Sequence, residues 1–271
     1  MEKFSQAFEA DTGKILNIVI NSLYSDRDIF LRELLSNASD AIQKRRFLGQ
    51  TSPNILNTDE DEIEIIVDKK KKTIEIIDTG IGLNKDELAE TLGTIAQSGT
   101  ANFLKENDNE EDQKSLEQTL IGQFGVGFYS AFMVSKTVEV TSRKAGTKET
   151  SIWESDGQSG YSISESESEY PVGTSIKLYL KKDAKNYSDS SEIQTLIKKY
   201  SDHIQVPVKI KETDGESQQV NSAQALWTKQ SQDISADEYK EFYNSNFSTF
   251  DDPFITLHNR SEGTLEFTNL L

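Results

Sequence analysis

The alternation of hydrophobic and polar residues along the chain predicts both strands and helices. Two segments rich in β-branched residues, Ile63–Asp68 and Thr73–Asp78, alternate with period two and predict adjacent strands. The four lysines between them indicate a solvated hairpin turn rather than a nucleic-acid patch. Hydrophobic residues recur at helical spacing over 12–23 and again over 29–47, so two helices are predicted before the first strand.

The later part of the chain mixes both periodicities. Asn84 followed three residues later by Glu87 is typical of a capping box and predicts a short helix that ends near Leu92. Further strands are predicted over 137–142, 150–154, 161–164, 174–180 and 206–211, and further helices over 188–201 and from Ser235 to Tyr243. Strands and helices do not alternate strictly, so we predict a mixed sheet with helices on one face, in the α/β class, rather than a doubly wound parallel sheet.

Several segments break the regular pattern. Residues 93–104 combine Gly, Ser and Thr with a few apolar residues, which favours a mobile segment over a rigid helix. Residues 106–112 are acidic and predict an exposed loop, and Gly122–Val134 is a glycine turn that leads into an apolar helix. Residues 212–219 contain no apolar side chain and are the strongest linker candidate.

Composition narrows the class of protein. The chain has 271 residues and a formal charge of −17, which argues against a surface that binds nucleic-acid phosphates or anionic lipid. It has no cysteine, which excludes disulfides, thiolate metal sites and a cysteine nucleophile. The N-terminus lacks the layout of a signal peptide, and the longest apolar run, Val126–Val134, is too short to cross a bilayer. We therefore expect a soluble, cytoplasmic protein without nucleic-acid or membrane partners, made of one large domain and part of another or of two modest ones.

The helix predicted over 29–47 carries the first candidate for chemistry. Glu33, Asn37 and Asp40 stand at positions i, i+4 and i+7, which lie on one helical face beside an apolar stripe. This face is either a pocket wall or a solvated polar surface. In a pocket, the Asn37 carbonyl oxygen could bind a hard cation such as Mg²⁺, and Glu33 could accept a proton from water.

Three glycine motifs follow along the chain. Asp78-Thr79-Gly80-Ile81-Gly82 comes directly after a strand, where a carboxylate can accept a hydrogen bond from an exocyclic amine and glycines permit close approach to the backbone. The turn 122–127 exposes backbone N–H groups before a helix and could bind an anion, but Phe128-Tyr129 replaces the Lys-Ser/Thr of a P-loop. Gly173-Thr174 precedes a strand. Each motif alone is a weak signal.

Together and in this order, the motifs resemble the GHKL superfamily of ATP-binding proteins, which includes gyrase B, histidine kinases, MutL-type repair proteins and the 90-kDa heat-shock chaperones. The family signature is an E-x-x-x-N helix, D-x-G-x-G, a glycine-rich lid, G-x-x-G-x-G and a Gly-Thr strand, and all five occur here. The segments similar to the 90-kDa heat-shock chaperones are 24–41, 92–96, 121–130, 225–227 and 258–263.

The resemblance implies a fold and a division of the chain. The fold would be a two-layer α/β (α+β) sandwich, with ATP between the helices and the mixed sheet. Residues 1–211 would form the ATP-binding domain, with a lid at about 93–127. Residues 212–221 would be a short linker of the bacterial type, and 222–271 the beginning of a middle domain.

The resemblance also implies roles for individual residues. Asp78 would bind the adenine amino group, and Asn37 would hold Mg²⁺ against the phosphates. Glu33 would polarise the attacking water, with Arg32 as its electrostatic partner. The residues expected to bind ATP or ADP are Asn37, Asp40, Asp78, Gly82, Leu83, Gly122, Gln123, Phe124, Gly125, Val126, Gly127, Phe128 and Thr174.

Two positions depart from the family pattern. Gln97 stands where the lid usually has Lys, and Thr91 where Asn is usual. A basic residue that faces the phosphates, or that pairs across the closed lid, is therefore expected to be missing. The resemblance further implies client proteins, a homodimer formed through a region absent from this sequence, and a catalytic arginine beyond residue 271. Weak ATP turnover by this chain is expected in consequence.

Three other functions are compatible with parts of the GHKL signature: a histidine kinase, a gyrase B relative and a nucleotide-binding module without hydrolysis. A histidine kinase needs a phospho-acceptor histidine, and the chain has only His203 and His258, the first of which precedes a predicted strand. A gyrase B relative would carry a basic DNA-binding surface, which a net charge of −17 disfavours. A GHKL module that binds nucleotide without hydrolysis stays open as an alternative.

Overall fold

A computed structural model describes residues 26–57, 60–94, 99–105, 120–122, 125–213, 215–223, 225–247, 251–261 and 267–271. The helix predicted over 12–23 and the acidic loop predicted over 106–112 lie outside the described residues. So do Gln97, Gln123 and Phe124.

An eight-stranded mixed sheet forms the centre of the fold. Its strands are β1 (Ile63–Asp68), β2 (Thr73–Asp78), β3 (Ser135–Arg143), β4 (Thr150–Ser155), β5 (Tyr161–Glu165), β6 (Gly173–Leu180), β7 (Val208–Glu212) and β8 (Gln218–Gln219). Their order across the sheet is β5-β4-β3-β6-β2-β1-β7-β8. Among these strands every neighbouring pair is antiparallel except β1 with β7. The prediction of a mixed sheet is thus confirmed.

The helices differ widely in length. They are α1 (Ile29–Thr51), α2 (Lys85–Gly93), α3 (Gly99–Lys105), α4 (Ala131–Val134), α5 (Ser190–Tyr200) and α6 (Ala236–Phe247). Short 3₁₀ turns occupy 53–55, 127–130, 182–188, 226–228 and 231–233, and β9 (His258–Ser261) pairs with β10 (Phe267–Leu270) in a separate hairpin. In the described part of the chain, no helix combines the length and apolar character that a bilayer span requires.

The two faces of the sheet have opposite character. A row of buried side chains, Ile65, Ile76, Ile176 and Val140, runs in register across four strands on the face that α1 covers. The other face carries ion pairs such as Lys177 with Glu75, at 2.9 Å. Two residues further along the strands, on the same face, lies a row of buried polar side chains: Asp78, Thr174 and Ser142. The sheet therefore offers α1 an apolar surface with a polar end.

Local sequence signals account for several element boundaries. The capping box at α2 is formed as predicted: Asn84 Oδ1 accepts from the Glu87 N–H, and Glu87 Oε2 accepts from the Asn84 N–H, each at 2.9 Å. α1 extends to Thr51, four residues beyond the predicted end. The expectation of a non-helical segment at 93–104 is wrong for its second half, because α3 forms there. The reason is tertiary packing, since Phe103 meets Phe47 of α1 edge-on at 5.9 Å.

Part of the segment predicted as a linker, 212–221, joins the edge of the sheet. β8 pairs antiparallel with β7 at the sheet edge. Behind it the buried Asn221 side chain accepts from the Val208 N–H at 2.8 Å and donates to the carbonyl oxygens of Ile204 and Val206, at 3.0 and 2.9 Å. Sequence reasoning missed this because a polar segment without apolar residues can still pair through its backbone.

The Asn221 contacts lead to a stability prediction. Asn221→Ala leaves a buried N–H and two buried carbonyl groups without their partner, so we expect a loss of about 2–4 kcal/mol in the free energy of unfolding. Urea unfolding measures this loss directly. Gln218→Ala, at an exposed position of the same segment, is the matched control and should cost less than about 0.5 kcal/mol. Equal effects of the two substitutions would restore the linker interpretation.

Candidate functional site

A cavity of about 860 Å³ lies beside α1 and the covered face of the sheet. Most residues that the sequence singled out line it together: Arg32, Glu33, Asn37, Gly82, Leu83, Gly122, Gly125, Val126, Gly127, Phe128 and Thr174. Asp40 and Asp78 are buried next to it without lining it. The polar face of α1 is therefore a pocket wall and not a solvated surface.

Glu33 projects from the first half of α1 toward the glycine turn. Its Oε1 accepts from the Arg32 guanidinium, with 2.6 Å to Nη2 and 3.2 Å to Nε, and its side chain is 23% exposed. A β-carbon built at Gly127 would lie 2.5 Å from Glu33 Oε2. The glycine is thus required for the carboxylate to occupy this position, and Arg32 fixes its orientation.

Asn37 stands one turn further along the same helix. Its Oδ1 lies 2.9 Å from a β-carbon built at Gly122, so the absence of a side chain at Gly122 leaves the amide oxygen open to the cavity. An amide oxygen in this setting is a ligand suited to a hard cation. Among the described residues, there is no group of three or more carboxylate or imidazole side chains that could hold a metal ion.

Asp40 has a different environment from the one expected of a nucleotide ligand. Its two oxygens accept from the backbone N–H groups of Ile121, at 2.9 Å, and Gly122, at 2.8 Å. The Thr100 hydroxyl lies 3.3 Å away. Burial raises the pKa of Asp40, and the two backbone hydrogen bonds oppose that shift. Asp40 thus connects α1 to Thr100 of α3 and to the backbone at 121–122.

The opposite end of the cavity is built around Asp78. Its Oδ1 accepts from the Gly80 N–H at 2.8 Å. The carboxyl is buried, and desolvation raises its pKa to about 7, although the backbone N–H groups of Gly80 and Thr174 and the charge of Arg45 lower it. A carboxylate held in this way is a strong acceptor for any N–H donor that reaches it.

The turn that follows Asp78 is anchored from two sides. The Ile81 N–H donates to the Ala41 carbonyl of α1 at 3.0 Å, and the Leu83 N–H donates to Ser142 Oγ at 2.8 Å. Gly82 adopts a φ of +68°, and a β-carbon there would lie only 2.0 Å from the Arg143 carbonyl oxygen. Only glycine fits this conformation and this close approach.

Sequence reasoning missed three residues of the site. Ser142 Oγ lies 2.9 Å from Thr174 Oγ1, so it orients that hydroxyl at the cavity. Arg45 donates to the carbonyl oxygens of Ile55 and Thr79, at 2.6 and 2.7 Å, behind Asp78. Neither contact has a signal in the sequence.

Lys44 is the third missed residue, and its position could have been found. It lies four residues after Asp40, on the same helical face, and it lines the cavity. Burial lowers its pKa to about 8, although Asp40 and Glu87 oppose the shift. Lys44 therefore adds a basic side chain to the cavity from α1, apart from the lid position at which Gln97 replaces the usual Lys.

Comparison of the sequence with known proteins identifies the family of the chain. A sequence model described as "Histidine kinase-, DNA gyrase B-, and HSP90-like ATPase" matches residues 25–183. The chain belongs to the histidine kinase-, DNA gyrase B- and HSP90-like ATPase family. A second model, "Hsp90 protein", matches residues 207–271. The resemblance to the 90-kDa heat-shock group within this ATPase family is confirmed.

Bacterial relatives are similar over the whole chain. "Chaperone protein HtpG" of Rickettsia canadensis (strain McKiel) is 50% identical over 273 residues, which cover 100% of this chain and 43% of that protein. The proteins of the same name from Rickettsia prowazekii (strain Madrid E) and Rickettsia bellii (strain OSU 85-389) are 50% and 48% identical, each with 44% of its length covered. The chain thus spans less than half the length of these relatives.

The buried Asp78 predicts a pH dependence of stability. Its folded pKa of about 7 lies above the unfolded value of about 4, so the folded state binds the extra proton between these values. The free energy of unfolding should therefore fall as pH rises from about 4 to about 7, relative to Asp78→Asn, and the difference should be constant above about pH 8. Urea unfolding of both proteins across this range is the measurement. Parallel pH profiles would contradict the assignment.

Proposed function

We propose that this chain is the ATP-binding and ATP-hydrolysing part of a molecular chaperone that assists the folding and maturation of client proteins. The observation that carries the proposal is the convergence of Glu33 and Asn37 of α1 on Gly127 and Gly122 inside one cavity. Relatives that are named as chaperones and are 50% identical over the full chain support the cellular role.

Adenine binds, in this proposal, at the Asp78 end of the cavity. The ionised carboxylate accepts a hydrogen bond from the exocyclic amine of the base, and the Thr174 hydroxyl, oriented by Ser142, completes the polar contacts. Gly82 and Leu83 allow the flat base to approach the backbone of the anchored turn. Recognition by a preorganised acceptor favours a base that carries an amino group at this position.

The phosphates extend toward the glycine turn. Backbone N–H groups of Gly125, Val126, Gly127 and Phe128 stand where the 3₁₀ turn begins and continues into α4, so the positive end of a helical segment faces them. Gln123 and Phe124 belong to the same proposed turn and lie outside the described residues. Lys44 adds a positive charge to the same cavity. An acidic chain can bind a polyanion in this way, because backbone dipoles and basic side chains of the cavity, Lys44 and Arg32 among them, act on the phosphates at close range.

Mg²⁺ fits the residues present. The Asn37 amide oxygen opens onto the space beside Gly122, and the other ligands would be phosphate and water oxygens, in keeping with the preference of Mg²⁺ for few protein ligands. When bound, Mg²⁺ neutralises phosphate charge. The chain itself contributes Asn37, which would hold the ion, and Asp40, which would position the Gly122 backbone beside it.

Hydrolysis is assigned to Glu33. The carboxylate accepts a proton from water while the water oxygen attacks the γ-phosphorus and the bond to the ADP oxygen breaks, which yields ADP and phosphate. Arg32 Nη2 lies 2.6 Å from Glu33 Oε1, and this ion pair fixes the orientation of the carboxylate. Asp40 and Asp78, whose oxygens accept backbone hydrogen bonds, are positioned for structure and binding instead.

The proposal also covers the lid, the domain boundary and the full-length protein. In this proposal residues 93–127 serve as the lid over the nucleotide. Among the described residues of that range, Thr100, Ile121 and Gly122 contact Asp40 of α1. The boundary between the ATP-binding unit and a middle domain falls at about residue 221, because Asn221 still contacts the sheet unit. We further propose that the full-length protein is a cytoplasmic homodimer that acts on client proteins.

Hydrolysis and binding should separate at Glu33. Glu33→Ala should bind ATP with an affinity within about threefold of the parent and lose about 10²–10⁴-fold in single-turnover hydrolysis. Glu64→Ala, which removes a carboxylate from the opposite face of the sheet, is the matched control. An unchanged rate for Glu33→Ala would remove the general-base assignment, and a parent that binds ATP without hydrolysing it would favour the nucleotide-binding module.

Base recognition should depend on Asp78. Asp78→Asn presents an N–H group to the adenine amine in place of an acceptor, so ATP binding should weaken by at least about 100-fold. Calorimetric titration with ATP provides the affinity, and circular dichroism checks that the variant is folded. Binding at the parent affinity would place adenine elsewhere in the cavity.

A further inference from the structure

The C-terminal end of α2 forms one wall of the cavity through Thr91 and Leu92. Two tyrosines that the proposed mechanism does not use contact this end of the helix, Tyr129 and Tyr161. They come from different parts of the fold, since Tyr129 follows the glycine turn and Tyr161 begins β5 at the sheet edge.

Tyr129 contacts α2 through a hydrogen bond. Its hydroxyl donates to the Leu92 carbonyl oxygen at 3.1 Å, and the residue is buried. Burial raises the pKa of Tyr129 to about 12, so the hydroxyl keeps its proton and remains a donor near neutral pH. One of the last carbonyl groups of α2 is thereby satisfied by a side chain from the nucleotide-binding turn.

Tyr161 contacts α2 by packing of its ring against Gly93. A β-carbon built at Gly93 would lie 2.6 Å from the Tyr161 hydroxyl oxygen and 2.7 Å from Cζ, and the three heavy atoms nearest to it all belong to Tyr161. Gly93 lies within the helix and does not have a positive φ. Alanine would suit this backbone, so the Tyr161 ring, which is 47% exposed, is what a side chain at position 93 would have to displace.

Stacked rings connect Tyr161 back to the cavity. Tyr161 stacks on Trp153 with 5.9 Å between ring centroids, and Trp153 meets Phe128 edge-on at 5.6 Å. Trp153 is fully buried, and Phe128 lines the cavity. The end of α2 and the glycine turn are therefore joined by contiguous packing, and the ring of Tyr161 is its outermost member.

We propose that Tyr161, together with Tyr129, is a positioning residue that sets the α2 wall of the nucleotide cavity. Neither Tyr161 nor Gly93 lines the cavity, so their contact acts through Leu92 and Phe128. A displaced α2 end opens the wall and lets bound nucleotide leave sooner. This inference rests on the proposed function, because it takes nucleotide as the occupant of the cavity.

A double-mutant cycle tests the contact. Gly93→Ala should raise the dissociation rate of a fluorescent ATP analogue by about fivefold or more when Tyr161 is present. In the Tyr161→Ala background the same substitution should change the rate by less than about twofold, because the space at position 93 is then free. Tyr161→Phe keeps the ring and its stacking on Trp153 and should stay close to the parent. Gly215→Ala, where a β-carbon makes ordinary contacts at 3.5 Å or more, is the glycine control.

A second readout does not depend on nucleotide. Hydrogen exchange of the amides at the end of α2 should be measured on the nucleotide-free protein. Exchange should accelerate in Gly93→Ala and in Tyr129→Phe. In the double mutant Gly93→Ala/Tyr161→Ala it should return toward the level of Tyr161→Ala alone. Equal effects of Gly93→Ala in both Tyr161 backgrounds, in exchange or in dissociation rate, would overturn the inference. A parent that binds no ATP would refute the proposed function alone, and the exchange data would still decide the role of Tyr161.

Discussion

The site depends on one constraint: α1 must bury an apolar face against the sheet and present a polar face to the cavity. Leu34, Leu35 and Ile42 are fully buried in the core, so the helix cannot rotate about its axis without exposing them. With that face fixed, Glu33 and Asn37 point into the cavity at helical spacing. Burial of each such side chain contributes about 1.5–3 kcal/mol. Hydrophobic packing therefore fixes the rotation of α1, and with it the positions of the polar side chains in the cavity.

Near this helix, three ionisable side chains have lost much of the water that would otherwise solvate their charges. Burial raises the pKa of Asp78 and Asp40 and lowers that of Lys44, so all three are destabilised in their charged forms. Buried ionisable groups of this kind are concentrated at functional sites, and of the three only Lys44 has the sign that suits the phosphates of a nucleotide. The backbone hydrogen bonds to Asp40 and Asp78 fix the positions of the carboxylates before anything binds.

The parts that could be predicted from the sequence are those encoded locally. Strand alternation at β1 and β2, the capping box of α2 and the i, i+4, i+7 face of α1 each depend on near neighbours. The same face rule extends to Lys44. By contrast, Ser142 and Arg45 act through partners far away in sequence, and Asp40 bonds a backbone segment 81 residues later. The helix α3 and the strand β8 form because tertiary contacts outweigh weak local preference, and such contacts have no periodic signal.

The central claim is that the cavity beside α1 binds Mg²⁺-ATP through Asn37 and the glycine turn. Calorimetric titration of the parent and of Asn37→Ala with ATP, each with and without Mg²⁺, tests it most directly. The account predicts saturable 1:1 binding by the parent that strengthens at least about tenfold with Mg²⁺, and a loss of most of that Mg²⁺ dependence in Asn37→Ala. No saturable binding by the parent, or the same Mg²⁺ dependence in both proteins, would contradict it.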